Sequence, residues 1–186
     1  MNQEKVVTVL LIILFTASVM KTGLDINQGG QEAKPENFTA QTIQVVDGDT
    51  IDINRNGVED TVRILGIDTP ETQGQNTPTE FGIENTSENQ RCLRKMGEKA
   101  SQLAKNKLAN KTIKVAIDPR SDRRGTYGRL LAYIEYNQTD LGEEMLEKGY
   151  ARVYNSKFTK KQKYRTLETE SRQKQTGIWN QTCGAS

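Results

Sequence analysis

This chain predicts an α+β fold: a five-stranded β-barrel carrying about three α-helices. Three observations lead there. Short alternating apolar runs recur at 42–46, 50–53, 61–67, 112–117 and 129–136, the period of half-buried strands. One long helical stripe, 92–110, falls after the third run, and two further helical stretches follow the fifth. With 186 residues there is material for one domain with a proper core.

The elements follow in order. Runs 42–46 and 50–53 flank "VDGDT", and "NRNGVED" then holds Asn56-Gly57, a hairpin-turn dipeptide, before 61–67. The first third therefore reads as a three-stranded meander. Residues 68–91 are polar, with Pro70, Gly74, Pro78 and Gly82, and form a long loop; loops of that length are functional or mobile. In 92–110, Leu93, Met96, Ala100, Leu103, Ala104, Lys107 and Leu108 share one helical stripe. Strand 112–117, the loop "DPRSDRRGTYG" and strand 129–136 come next. Asp140 with Glu143 three residues on resembles a capping box. After Gly149 a short extended run reaches Tyr154, a basic helix covers about 157–174, and "GIW" closes it. Five strands with a helix inserted after the third is the pattern of an OB-fold-type barrel.

The N-terminus has Lys5 and then an apolar run from Val6 to Met20. It is shorter than a membrane span and fits a signal-peptide core, although no clean A-x-A site follows. Residues 1–23 are read as a signal peptide or N-terminal membrane anchor, 24–39 as a polar linker, 40–180 as the domain and 181–186 as a tail. The expected location is secreted or extracytoplasmic, with membrane attachment only if the segment stays uncleaved. In an oxidising compartment Cys92 and Cys183, the only cysteines, suggest one disulfide, worth about 2–4 kcal/mol. Five N-x-S/T sequons, at Asn37, Asn85, Asn110, Asn137 and Asn180, are compatible with export.

Composition excludes several chemistries. No histidine is present, which removes Ser-His-Asp and Cys-His catalysis and His-containing zinc sites. Two cysteines cannot form a Cys₄ zinc site. Any metal here is oxygen-liganded and therefore hard. The net charge of +2 does not announce a polyanion binder, but Arg152–Lys174 carries eight Lys/Arg against Glu168 and Glu170. Such a helix reads first as a solvated face and second as a polyanion contact.

Asp47, Asp49 and Asp68 stand at the ends of apolar runs, where an unpaired carboxylate is costly. "DG" alone is a common turn. The second cluster adds weight: Arg63, Asp68, Thr69 and Glu71 lie within nine residues. Arg63 and Asp68 are five apart and would face opposite ways on an ideal strand, so a bend after Ile67 is expected. Arg129 opens another strand.

The motifs "VVDGDTI", "RILGIDTPET", "YGRLLAYI" and "GYARVY", in that order, resemble the staphylococcal (micrococcal-type) nuclease family over roughly residues 40–179. That resemblance implies an OB-fold barrel that cleaves DNA and RNA with Ca²⁺. It implies Asp49 and Asp68 as calcium carboxylates, with Thr69 giving a backbone carbonyl and Asp47 beside the metal. Glu71 corresponds to the general base, and Arg63 and Arg129 to the guanidinium pair on the scissile phosphate. Tyr127 corresponds to a substrate contact and Tyr154 to a base-stacking partner. The partner is then a nucleic acid, with no obligate protein partner and a monomeric chain. The chain departs from the pattern in its longer loop after "DTPET", which carries Glu80, Glu84 and Glu88, and in its two cysteines. A non-catalytic OB module that only binds nucleic acid is the alternative, as is a surface protein whose acids only hold calcium.

Overall fold

The computed structural model describes residues 36–180 and Cys183. The leader assigned to 1–23, residues 24–35 of the linker, and the tail apart from Cys183 lie outside the described residues. Eight strands are present: β1 Asn37–Val45, β2 Thr50–Arg55, β3 Val58–Ile64, β4 Ile67–Asp68, β5 Thr112–Ala116, β6 Leu130–Tyr136, β7 Thr139–Asp140 and β8 Arg152–Val153. The α-helices are α1 Ser87–Leu108, α2 Leu141–Glu147 and α3 Lys161–Gln173. Strands pair in the order β3-β2-β1-β5-β6, and a parallel β3–β6 pairing closes the ring. The five-stranded OB-type barrel with three helices is thus the observed fold, and its closure leaves these five strands without a free edge.

Alternation fills the barrel. Ile51, Ile53, Val62, Ile64, Ile113, Val115, Ala132 and Ile134 are all buried inside it. Helix α1 adds Ala100, Ala104 and Leu108, and α2 adds Leu141, Met145 and Leu146. Tyr164 of α3 is fully buried between Phe158 and Tyr133, with ring centroids 5.5 and 6.1 Å away. A second apolar cluster gathers Phe81, Ile83, Leu93, Met96, Ile178 and Trp179 around the Cys92–Cys183 disulfide. The long 68–91 loop is therefore packed, with a 3₁₀ turn at Pro78–Phe81.

The structure differs from the sequence expectation at several boundaries. Strand β1 begins at Asn37, not Thr42, and pairs with β5 from its first residue; residues 37–39, read as linker, are barrel backbone. The alternation there is masked because the inward residues Ala40 and Thr42 are barely apolar. Helix α1 begins five residues earlier than its apolar stripe. Thr86 caps it, its hydroxyl accepting from the Asn89 amide at 3.1 Å, and its first turn is polar. The run 61–67 is not one strand: the chain breaks at Leu65-Gly66 between β3 and β4. Gly66 has φ 84°, and a Cβ there would lie 2.6 Å from the Phe158 ring, so only glycine fits. The expected bend is real but precedes Ile67. The Asn56-Gly57 turn has positive φ at both residues and forms the β2–β3 hairpin. Asp140 caps α2 by accepting from the Glu143 amide at 3.2 Å, while the Glu143 side chain turns to Lys163 instead of closing a capping box.

Candidate active site

The turn between β1 and β2 is rigid. Asp47 Oδ1 accepts from the Asp49 amide at 3.0 Å, and the Ile64 amide donates to the Asp49 carbonyl at 2.8 Å. A Cβ on Gly48 would meet Ala100 Cβ at 2.6 Å, so the turn sits directly on α1. Asp49 is consequently buried, at 1% exposure. Its carboxylate is fully partnered: Oδ1 accepts from Thr50 Oγ1 at 3.0 Å and from Arg63 Nη1 at 2.6 Å, and Oδ2 accepts from the Thr69 amide at 2.9 Å.

Arg63 reaches this carboxylate because Arg63 on β3 pairs with Thr50 on β2. The Gly66 bend then turns the chain back, and Arg63 Nη2 donates to Asp68 Oδ1 at 2.5 Å. One guanidinium thus bridges Asp49 and Asp68. Strand β4 pairs with β8, placing Asp68 opposite Arg152. Arg152 Nη2 contacts Asp68 Oδ2 at 2.7 Å and Glu80 Oε2 at 3.0 Å. Arg129, just before β6, donates to Thr50 Oγ1 at 3.3 Å. Four of the candidate residues are thus joined, through Thr50 and Arg152, into one line, Arg129–Thr50–Asp49–Arg63–Asp68–Arg152–Glu80.

Beside that line lies an open groove of about 470 Å³ lined by Arg63, Arg129, Ile67, Leu131, Tyr127 and Tyr154. Both tyrosines are exposed, and Arg129 lies 5.6 Å from the Tyr127 ring centroid. Glu71 is solvent-exposed after Pro70. The backbone of Pro70 abuts α1, where a Cβ on Gly97 would lie 2.3 Å from the Pro70 carbonyl oxygen.

Negative charge is in excess at the acids. Burial, and then the charges of Asp47 and Asp68, raise the Asp49 carboxyl to about 7, against the pull of Arg63 and the Thr69 amide. Partial desolvation, Asp47 and Asp68 also raise Glu71, with Arg63 and Arg129 opposing. The donors are oxygen only, the class a hard cation takes, and the repulsion among the carboxylates is what such a cation would relieve. Among the described residues no group of three or more His, Cys, Asp or Glu side chains is arranged to hold a metal ion; the fit rests on two carboxylates and a carbonyl.

Three participants were not singled out from sequence. Thr50 lies inside "DGDT" and reads there as a strand residue. Arg152 lies inside "GYARVY" but counts there only toward the basic stretch. Asn76 stands in the polar loop with no signal. The rest of that basic stretch is largely paired locally: Lys160 with Asp140, Lys163 with Glu143, Arg172 with Glu168 and Lys174 with Glu170. No helix among the described residues is long and apolar enough to cross a membrane.

The family model for staphylococcal nuclease homologues matches residues 61–181. An uncharacterised protein of Methanocaldococcus jannaschii is 36% identical over 78% of this chain and 73% of its own length. Endonuclease YncB of Bacillus subtilis is 33% identical over 75% of this chain, which spans 60% of YncB. The thermonuclease of Staphylococcus hyicus is 27% identical over 95% of this chain and 99% of its own. The family model spans more than half of the chain, from Thr61 in β3 through all three helices, with Asp49 and Thr50 lying before its start; the chain belongs to the staphylococcal nuclease family.

Proposed function

We propose that this protein is a Ca²⁺-dependent endonuclease that hydrolyses phosphodiester bonds of DNA and RNA. The observation that carries the reading is the placement of Arg63 and Arg129 on one groove, with exposed Glu71 and the bridged Asp49–Asp68 pair within electrostatic reach. The nuclease names of relatives in Bacillus and Staphylococcus support it.

A phosphodiester is anionic and repels an attacking water. Arg63 and Arg129 present planar forks that match phosphate oxygens and never deprotonate. They neutralise the ground-state charge and stabilise the additional charge of the pentavalent transition state. Glu71 takes the proton from water as the new P–O bond forms in line. The 5′ oxygen leaves and takes up a proton, so the products carry a 3′-phosphate. Asp49, Asp68 and the Thr69 carbonyl would hold Ca²⁺, with Asp47 alongside; when bound, the ion supplies positive charge against the phosphate oxygens. Tyr127 and Tyr154 present ring faces to sugar and base. The apolar leader and the disulfide support an extracytoplasmic location for a monomeric enzyme, membrane-attached where the leader is retained.

The test is incubation of the mature domain with plasmid and single-stranded DNA and with RNA, in Ca²⁺ or chelator. Cleavage in Ca²⁺ alone is expected. Glu71→Gln should lower turnover by about 10²–10⁴-fold while leaving the fold intact. Binding of single strands without cleavage in Ca²⁺ would instead mark a non-catalytic module.

A further inference from the structure

The loop after Glu71 is long, running to the start of α1 at Ser87, and the structure shows how its first turn is built. Glu71 is exposed and follows a proline, a position from which a carboxylate would ordinarily sweep a wide arc. Its backbone is nevertheless held at both polar groups by one side chain. The Glu71 amide donates to Asn76 Oδ1 at 2.8 Å, and Asn76 Nδ2 donates to the Glu71 carbonyl at 2.9 Å. Asn76 thus does for Glu71 what a neighbouring strand would do. Asn76 is itself only 5% exposed, so its amide has no competing water.

A second side chain braces the same turn from α1. Arg94 Nη2 donates to the Gly74 carbonyl at 2.7 Å and Nη1 to the Thr72 carbonyl at 3.3 Å. On the other side of Glu71, the Pro70 backbone lies against Gly97 of the same helix. The backbone is therefore fixed before, at and after Glu71. Further along, Pro78 and Phe81 are buried and Arg152 ties Glu80 to Asp68. A loop that merely crossed solvent would need neither a buried asparagine clamp nor an arginine bracket.

We propose that Asn76 is a positioning residue for Glu71, presented by the 73–91 loop and braced by Arg94. The inference rests on reading Glu71 as the base. A base works only within hydrogen-bond reach of the water it deprotonates, and a displacement of about 1 Å costs about 10²-fold. Asn76 touches neither water nor phosphate; it acts through the Glu71 backbone.

Four variants, Asn76→Ala, Arg94→Ala, Glu71→Gln and the double Glu71→Gln/Asn76→Ala, test this with single-stranded DNA at saturating Ca²⁺. Hydrogen exchange at the Glu71 amide and calorimetric Ca²⁺ titration accompany the kinetics. Asn76→Ala should lower kcat by about 10–100-fold, with KM and Ca²⁺ affinity within about 2-fold of wild type. The Glu71 amide should lose protection in that variant. Arg94 is exposed, so Arg94→Ala is expected to fold, and it should lower kcat in the same direction by less. The double variant should be no slower than Glu71→Gln alone. The inference is overturned if the Glu71 amide keeps its protection in Asn76→Ala. It is equally overturned if Asn76→Ala keeps full kcat, if KM alone changes, or if the double variant is additive. Full kcat in Glu71→Gln would instead remove the base assignment, and the role of Asn76 with it.

Discussion

Gly66→Ala probes the bend on which the site depends, and its cost divides into two parts. The backbone at Gly66 has φ 84°, a left-handed conformation that costs an L-residue roughly 1–2 kcal/mol. The new methyl would also lie 2.6 and 2.7 Å from two ring atoms of Phe158. That ring is only 2% exposed and packs on Tyr164, so it cannot swing aside, and overpacking of this kind adds about 1–3 kcal/mol. Together the substitution should destabilise the domain by about 2–5 kcal/mol, lowering the urea midpoint by about 1–2 M at unchanged slope. Phe158→Leu in the same background removes the overlap but not the φ penalty, so a double-mutant cycle should return a coupling of about 1–3 kcal/mol that offsets part of the loss. Gly66→Ala with stability within about 0.5 kcal/mol of wild type, or a cycle with no coupling, would refute the account of why the strand breaks there.

The disulfide joins residues 91 apart, for which chain entropy gives about 4.6 kcal/mol; dithiothreitol should lower Tm clearly, and Cys92→Ala/Cys183→Ala should match the reduced protein. Alkylation without prior reduction should leave the mass unchanged, and a mass gain would show unpaired thiols. Acid stability should report on Asp118. Burial raises its carboxyl, but hydrogen bonds from Tyr133, Thr159 and Arg120 outweigh that and hold it below the ordinary carboxylate value. A depressed folded pKa contributes stability that is present above the unfolded value of about 3.9 and is lost as pH falls through the folded one. Urea midpoints measured from neutral pH down through this range should therefore fall more steeply for wild type than for Asp118→Asn; equal slopes would exclude the contribution.

The barrel was legible in the sequence because its inward residues alternate with polar ones, as in Thr50–Ile53, and because Asn56-Gly57 names its turn. The misplaced boundaries have a common physical cause. At Asn37–Thr42 and in the first turn of α1, hydrogen bonds and a cap define the element before any apolar residue does, so periodicity starts late. The Asn137-Gln138 turn, with positive φ at both residues, lacks the glycine that marks such hairpins. In the site, Arg63, Asp68, Thr69 and Glu71 stood out because they lie within nine residues, and Asp47 and Asp49 joined them through the order of the motifs. Arg152 was not, since its role comes from the pairing of β4 with β8, a register that no local pattern encodes. Asn76 was the least visible, because its partners are backbone atoms and backbone atoms leave no trace in composition.

The acid–arginine line also implies that its arginines are not equivalent. Arg63 and Arg152 are each bound to carboxylates, whereas Arg129 has no carboxylate partner among the described residues; its contacts are the Thr50 hydroxyl and the exposed Tyr127 ring. Arg63 is therefore structural as well as chemical. Removing it leaves the Asp49 carboxyl, 1% exposed, buried without its main cation, a loss of about 3–5 kcal/mol. Arg129 is poised for an anion from outside the chain, and removing it breaks one weak hydrogen bond, worth about 0.5–1.5 kcal/mol. Arg63→Ala should accordingly lower both turnover and Tm, while Arg129→Ala should lower turnover with Tm nearly unchanged. Paired melting and cleavage measurements separate the two. If Arg129→Ala proves as destabilising as Arg63→Ala, Arg129 is committed to the fold, and the groove loses the guanidinium of its two that is not already held by carboxylates.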